Sequence, residues 1–485
     1  MIPMTLGEIA RAVGGRLHRA RGDEPVTAPV EFDSREIMAG GLFVALPGQR
    51  VDGHDFAARA IAAGATGVLA AREVSGPTVI VPPVDEAHRR SVALTGDSDG
   101  SGAAVLAGLG ELAREVADRL TRAGLTVVGV TGSSGKTSTK DLLAQVLEPM
   151  GPTVAPPGSF NNELGHPWTV LRADEWTRYL VLELSARGPG HIAALCATAQ
   201  PRIGVVLNVG TAHLGEFGSR EEIARTKGEL VEALPADGVA VLNADDPIVA
   251  GMAERTSARV VLVGTGPGAT VRAAGIELDE QARASFELVT PGGTAGVRLA
   301  LHGAHHIGNA LACAAVAIEL GASPAEAAAR LSAARRRSAR RMEVTTRPDG
   351  VTVVNDSFNA NPESMSAALH TLAAMAGTGR RSWAVLGVMG ELGAESDAAH
   401  EEIGRLAARL GVERLVVVGE PAGPMVAGGK GANAVLVPDV DAAVTLLSSE
   451  LRPDDVVLIK ASKVAALWRV ADALLAGDAQ GSAAP

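Results

Sequence analysis

Short apolar runs of strand length recur along this chain, and most are followed by a stretch with helical spacing. Residues 126–131 carry Val127, Val128 and Val130 and break at Gly132. Leu142, Leu143, Val146 and Leu147 then fall on one helical face,. Residues 179–184 and 202–209 read as strands, the second almost wholly apolar, as strands buried on both faces are,. Residues 238–242 read as a further strand. Ser219-Arg-Glu-Glu222 is a capping box opening a helix to Leu234, and 307–320 is an Ala-rich helix closed by Gly321,. Near the start, Thr5-Leu-Gly-Glu8 is another capping box, and its helix carries Leu6, Ile9 and Val13 before Gly14-Gly15 stops it,. Strands are also predicted at 351–354, 383–388, 414–418 and 455–459. Alternation of this kind predicts α/β layers around mostly parallel sheets.

A chain of 485 residues is too long for one core,. The pattern divides into 1–122, 123–335 and 336–485, with the Arg-rich stretch Arg335 to Arg341 at the second junction. Residues 84–103 are polar and glycine-containing and read as a surface insertion. The tail after Gly477 is rich in Ala, Gly and Ser and reads as frayed,. With 47% hydrophobic but only 2% aromatic residues, the cores must be built from Ala, Val and Leu. A net charge of −11 argues against a broad nucleic-acid surface, so any phosphate must meet local basic groups,. Two cysteines give no disulfide framework, no signal peptide is apparent, and no run approaches the roughly 18 apolar residues of a membrane span,. These features predict a soluble, cytoplasmic protein.

The strand, loop and helix at 126–147 form the strongest chemical signal. In Gly132-Ser133-Ser134-Gly135-Lys136-Thr137 the glycines let backbone N–H groups turn toward a polyphosphate, and the helix N-terminus adds positive field,. Lys136 is placed to reach the outer phosphates and the Thr137 hydroxyl to ligate Mg²⁺. Position 130 is valine where the usual pattern has its first glycine. The loop points to ATP and leaves the acceptor unnamed.

Other polar residues sit at carboxyl ends of predicted strands, where parallel α/β sheets bind ligands. Glu183 is there, either as a Mg²⁺ ligand beside Thr137 or as a solvated edge carboxylate. His213 follows 202–209 through Gly210-Thr-Ala, as a cation ligand or a structural imidazole. Lys227 lies four residues after Ile223 and three before Leu230, on the inner face of its helix,. It is either a snorkelling lysine or a buried amine that loses its charge, and only a neutral amine reacts with CO₂ to give a carbamate. Asn355-Asp-Ser-Phe-Asn-Ala-Asn-Pro362 is a plain loop or a ligand loop, and Arg341 is placed to reach a γ-phosphate or the Asp356 carboxylate.

Taken in order, these motifs resemble the Mur ligase family over nearly the whole chain. The resemblance rests on Asp33-Ser-Arg35, Asp52-Gly-His-Asp-Phe56, TGSSGKTSTKD, Ser159-Phe-Asn-Asn-Glu-Leu-Gly165, LELSARGPGHI, NVGTAHLGEFGS, ARTKGEL, VLNADDP, NALACAAVA, RRMEV, NDSFNANPESM and IKASK. It implies an N-terminal nucleotide-sugar-binding α/β domain, a central ATPase-like domain and a C-terminal Rossmann-like domain. It further implies ATP-dependent amide ligation through an acyl phosphate, and, within the family, addition of D-Ala-D-Ala to UDP-MurNAc-tripeptide by a monomer. By position, Gly132 to Ser138 with Lys136, Thr137, Glu183 and His213 resemble the nucleotide and metal set. Lys227 matches the family's carbamylated lysine and Asn309 its adenine-side residue. Ser34, Arg35, His54, Asn161 and Asn162 resemble the nucleotide-sugar set. Arg341, Asp356, Asn359, Asn361 and Lys463 resemble the set facing ATP and the dipeptide. The chain departs from the family at His306 (usually Asn), Phe358 (usually Tyr), Val388 (usually Asp) and Lys463 (usually Arg). Three of the four lie in the third domain, which keeps open a relative that joins a different amine or acyl substrate.

Overall fold

The apolar runs become the inner strands of three α/β sheets. The computed structural model describes residues 1–48, 51–85, 94, 97, 99–212 and 214–476. The first sheet has five strands in the order Arg16–His18, Thr78–Ile80, Gly67–Ala70, Leu42–Val44, Val30–Glu31, parallel except for the first pair. The capping box at Thr5 and Glu8 forms fully and opens the helix Leu6–Ala12.

The second sheet has nine strands. Seven run parallel, from Thr153–Val154 at one edge through Tyr179–Glu183, Thr126–Thr131, Ile203–Val206, Val239–Asn243 and Arg259–Gly264 to Val271–Leu278. Arg283–Thr290 and Gly293–His302 extend the far edge in antiparallel fashion. That extension is an addition to the sequence reading. Its two-residue alternation is visible in Ala284, Phe286 and Leu288, which are buried between exposed or half-buried neighbours,. The helices Lys136–Leu147 and His306–Glu319 cover one face in a single apolar layer with the central strands.

The third sheet has six strands in the order Glu343–Thr346, Thr352–Asn355, Val456–Lys460, Ser382–Leu386, Arg414–Val418, Val435–Val437, with only the first pair antiparallel. Apolar layers on both of its faces give it a core of its own. The first two sheets instead share one continuous core, bridged by the 22-residue helix Ser101–Arg122.

Two local expectations need correction. The surface insertion read as 84–103 cannot extend that far, because Ser101 already starts the long helix and Gly102 and Ala103 are buried in it; residues 86–93, 95, 96 and 98 lie outside the described residues, as does the tail from 477. The box at Ser219 is half-formed: its side chain accepts from Glu222 N–H without the return bond, and the helix runs Arg220–Glu232. Among the described residues no helix is long and apolar enough to cross a membrane.

Candidate active site

The strand Thr126–Thr131 ends in the loop at 132–135, and the helix Lys136–Leu147 starts directly after it. Gly135 has φ +82°, and a Cβ there would lie 2.9 Å from Asn309 Oδ1. Glycine is therefore favoured by the backbone conformation, and the Asn309 amide packs closely against it,. The loop is pinned from the side by the segment after Ile203–Val206. Ser134 N–H donates to Asn208 Oδ1 at 2.9 Å, and Gly210 N–H donates to Ser133 Oγ at 2.9 Å. Lys136 Nζ donates to Gly132 O at 2.6 Å, folding the side chain back over its own loop. Burial lowers the Lys136 pKa and Arg341 lowers it further, while Glu183 opposes both. Lys136 therefore feels both Glu183 and Arg341.

Glu183 ends the fully buried strand Tyr179–Glu183 and is itself 1% exposed. A buried carboxylate must be compensated, and here three side chains do so. Thr137 Oγ1 donates to Oε2 at 2.9 Å, Asn161 Nδ2 to Oε1 at 2.7 Å and Ser159 Oγ to Oε1 at 3.2 Å. The solvated-edge alternative is thereby excluded. The oxygen-rich pair of Thr137 and Glu183 suits a hard cation that keeps most of its ligands from phosphate and water. Among the described residues no group of three His, Cys, Asp or Glu side chains holds a metal unaided. His213 lies outside the described residues.

The third sheet supplies the opposite wall. One cavity of about 360 Å³ is lined by Ser133 to Ser138, Glu183, Asn161, His306, Asn309, Arg341, Asp356, Phe358, Asn359 and Asn361. Arg341 does not pair with Asp356, contrary to one sequence alternative. Asp356 is taken by Lys460, whose Nζ donates to Asp356 Oδ2 at 2.6 Å and to Asn359 O at 2.9 Å. Arg341 instead lies over the Phe358 ring, 4.1 Å from its centroid, and its buried Nε has no hydrogen-bond partner. Asn361 caps the helix Pro362–Ala376 and reaches across to the phosphate loop, its Nδ2 donating to Ser133 O at 3.2 Å. His306 Nδ1 lies 3.3 Å from Asn309 Nδ2, and its ring is 4.2 Å from that of His305.

The remaining sequence candidates do not line this cavity. Lys227 is buried at 5% exposure, which excludes a snorkelling lysine. Burial, and after it Lys136, pushes its pKa well below the ordinary value, while Glu363 opposes them. Ser34 and Arg35 sit on a loop beside the first sheet, where Arg35 pairs with Asp33 at 2.6 Å. His54 is committed within the fold: Nδ1 meets Asp52 Oδ1 at 2.7 Å, and Nε2 accepts Ala71 N–H at 3.1 Å. With both ring nitrogens used, its geometry is that of a loop brace rather than a ligand contact. Asn162 caps the turn into Gly165–Val170 and lines a neighbouring cavity shared with Asn161, Ser185 and Arg187. Lys463 is exposed on a short turn outside the cavity wall, and Val388 lines a separate cleft.

Sequence reasoning missed Lys460, Asn208, Ser159 and Glu363. Lys460 was findable, since it ends the apolar strand VVLIK as Glu183 ends YLVLE. Asn208 and Ser159 gave no signal, because they act on the loop and on Glu183 only through tertiary contacts.

Three segments match family descriptions: residues 28–94 the Mur ligase family catalytic domain, 130–317 the Mur ligase middle domain, and 340–463 the Mur ligase glutamate ligase domain. The UDP-N-acetylmuramoyl-tripeptide–D-alanyl-D-alanine ligase of Mycobacterium bovis is 56% identical, over all of this chain and all of that protein. A crystal structure of MurF from Acinetobacter baumannii has a TM-score of 0.85 at 30% identity, covering 98% of this chain and 99% of that one. The ligase of Thermotoga maritima, solved with ADP, has a TM-score of 0.77 at 29% identity, covering 94% and 99%. A phosphate loop facing a third α/β unit across one cavity, with this likeness end to end, has one reading: the chain belongs to the Mur ligase family.

Proposed function

We propose that this protein uses ATP to join D-Ala-D-Ala to the terminal carboxylate of UDP-MurNAc-tripeptide, completing the pentapeptide precursor of peptidoglycan. The observation that carries the reading is the single cavity in which the phosphate loop and Glu183 of the middle unit face Arg341, Asp356 and Asn359 to Asn361 of the third. Full-length identity of 56% to a D-Ala-D-Ala ligase favours that amine over a different one.

A carboxylate is a poor electrophile, and phosphorylation by ATP supplies a leaving group. The substrate carboxylate attacks the γ-phosphorus, ADP departs, and an acyl phosphate remains. The neutral amine then adds to the acyl carbon, and the tetrahedral intermediate loses its extra N–H proton to solvent and expels phosphate. Loop N–H groups and Lys136 hold the phosphates, and Arg341, braced on Phe358 in the cavity wall, supplies positive charge to the anionic groups,. Asn309, packed against Gly135, fits the base side of the nucleotide. Thr137 and Glu183 would hold Mg²⁺, which offsets the charge moving between phosphates. The buried Lys227 amine, whose burial disfavours the charged form, fits a carbamate. Asn359 faces the amine side, Asn361 ties the third unit to the phosphate loop, and the third unit excludes water that would hydrolyse the acyl phosphate. Ser34, Arg35, Asn162 and the exposed Lys463 fall to the outer reaches of the two substrates. This reading makes the protein a cytoplasmic monomer.

The test is release of ADP and phosphate that requires UDP-MurNAc-tripeptide and D-Ala-D-Ala together. Release only with another amine overturns the assignment of the second substrate. No release with any pair overturns the ligase reading.

A further inference from the structure

The third unit grips one segment of the middle unit at both ends. At residues 210–211, Glu363 in the first turn of Pro362–Ala376 accepts from Thr211 N–H at 2.7 Å and from the Thr211 hydroxyl at 3.0 Å. A Cβ on Gly210 would lie 2.3 Å from Glu363 Cδ, so the carboxylate has a seat only because residue 210 lacks a side chain. Four residues on, Gly215 N–H donates to Glu391 O at 3.0 Å, and a Cβ on Gly215 would lie 2.6 Å from Gly393 N. The segment is also wired to the phosphate loop. Gly210 N–H donates to Ser133 Oγ at 2.9 Å, while Ser133 O accepts from Asn361 Nδ2 at 3.2 Å. Helix start, phosphate loop and the 210–211 segment thus form a closed circuit of hydrogen bonds. The second carboxylate oxygen of Glu363 is buried without a hydrogen-bond partner. Burying a carboxylate oxygen without a hydrogen-bond partner is unfavourable, and the helix N-terminus and the neighbouring Lys227 offset part of that cost,. Glu363 gains its two acceptor contacts only when the third unit is seated.

We propose that Glu363 is a positioning residue: by taking the Thr211 N–H it couples seating of the third unit to the placement of residues 210–212 and, through Ser133, of the phosphate loop. Catalysis in the proposed ligase reaction, on which this inference rests, then requires the contact although Glu363 touches no reacting atom.

The experiment compares the full-length wild type with Glu363→Ala, Glu363→Gln and Gly210→Ala by solution X-ray scattering with a non-hydrolysable ATP analogue and Mg²⁺, and by steady-state kinetics. We expect Glu363→Ala and Gly210→Ala to be more expanded than wild type. Their kcat should fall about tenfold to a hundredfold with an unchanged KM for ATP, as misplacement without lost ground-state binding requires. Glu363→Gln keeps an amide oxygen for Thr211 and should recover most of both properties. A Glu363→Ala scattering curve superimposable on wild type overturns the proposal. So do an expanded variant with wild-type kcat, and a wild type that is extended in every ligand state. If the wild type turns over no substrate pair, the ligase reading fails on its own, while the scattering comparison still decides whether Glu363 seats the third unit.

Discussion

Replacing Lys460 with methionine removes one charge of a buried pair and strands the other. The Lys460 side chain is 3% exposed and that of Asp356 14%, with 2.6 Å between Nζ and Oδ2. Without the ammonium, Asp356 keeps only the Met342 N–H, at 3.0 Å, and Asn359 O loses a donor as well. Removing one member of a buried pair costs about 3–5 kcal/mol, and the partial exposure of Asp356 toward the cavity places this case near 3 kcal/mol. At about 2–4 °C per kcal/mol, the third unit should melt about 6–12 °C lower. Calorimetry, with the fluorescence of Trp383, buried in that unit, as a local probe, reads the shift. Asp356→Asn added to Lys460→Met should restore over half of the loss, because the stranded charge rather than the lost attraction dominates. A single variant within about 0.5 kcal/mol of wild type, or a double variant that loses the sum of the two single changes, refutes this account of the pair.

Three further outcomes are expected. Lys136→Ala should lower ADP release at least about a hundredfold while the circular dichroism spectrum stays that of wild type; retained turnover removes Lys136 from phosphate handling. Lys227→Ala should lose turnover and regain part of it with acetate, a carboxylate small enough for the vacated space; no rescue removes the carbamate reading. His166, whose ring nitrogens are both buried without partners, has its pKa pushed down from 6.5 to about 3 by burial. The unfolded chain therefore binds this proton first, so the residue's contribution is full above pH 6.5 and is lost as pH falls toward 3,. His166→Leu should flatten the slope of stability against pH in that window by about 1.4 kcal/mol per unit, and an unchanged slope in urea titrations counts against a neutral buried ring.

Local rules make much of this protein legible in its sequence. Apolar runs such as YLVLE and RLVVV have the length and β-branched content of strands buried on both faces, and the observed strands Tyr179–Glu183 and Arg414–Val418 lie on them,. Glycines, a lysine and a threonine between a strand and a helix are a local arrangement, so the phosphate loop was readable too. Lys227 was placed on an inner helical face by spacing alone, and it is buried. Tertiary structure decided whatever depends on residues far apart in sequence. It paired Asp356 with Lys460 and left Arg341 against Phe358, because 104 positions separate the first pair and no periodicity encodes the choice. It turned His54 inward onto Asp52 and Ala71 N–H, and it left Lys463 outside the cavity. It also brought Glu363 to Thr211 and Asn361 to Ser133, contacts spanning 152 and 228 positions. The sequence by itself determined where the strand, glycine turn and helix at 126–147 fall and which segments build sheets, since both follow from short-range backbone chemistry. Which charges meet across the cavity was settled only when three sheets packed, because side-chain pairing depends on distances that no local pattern sets.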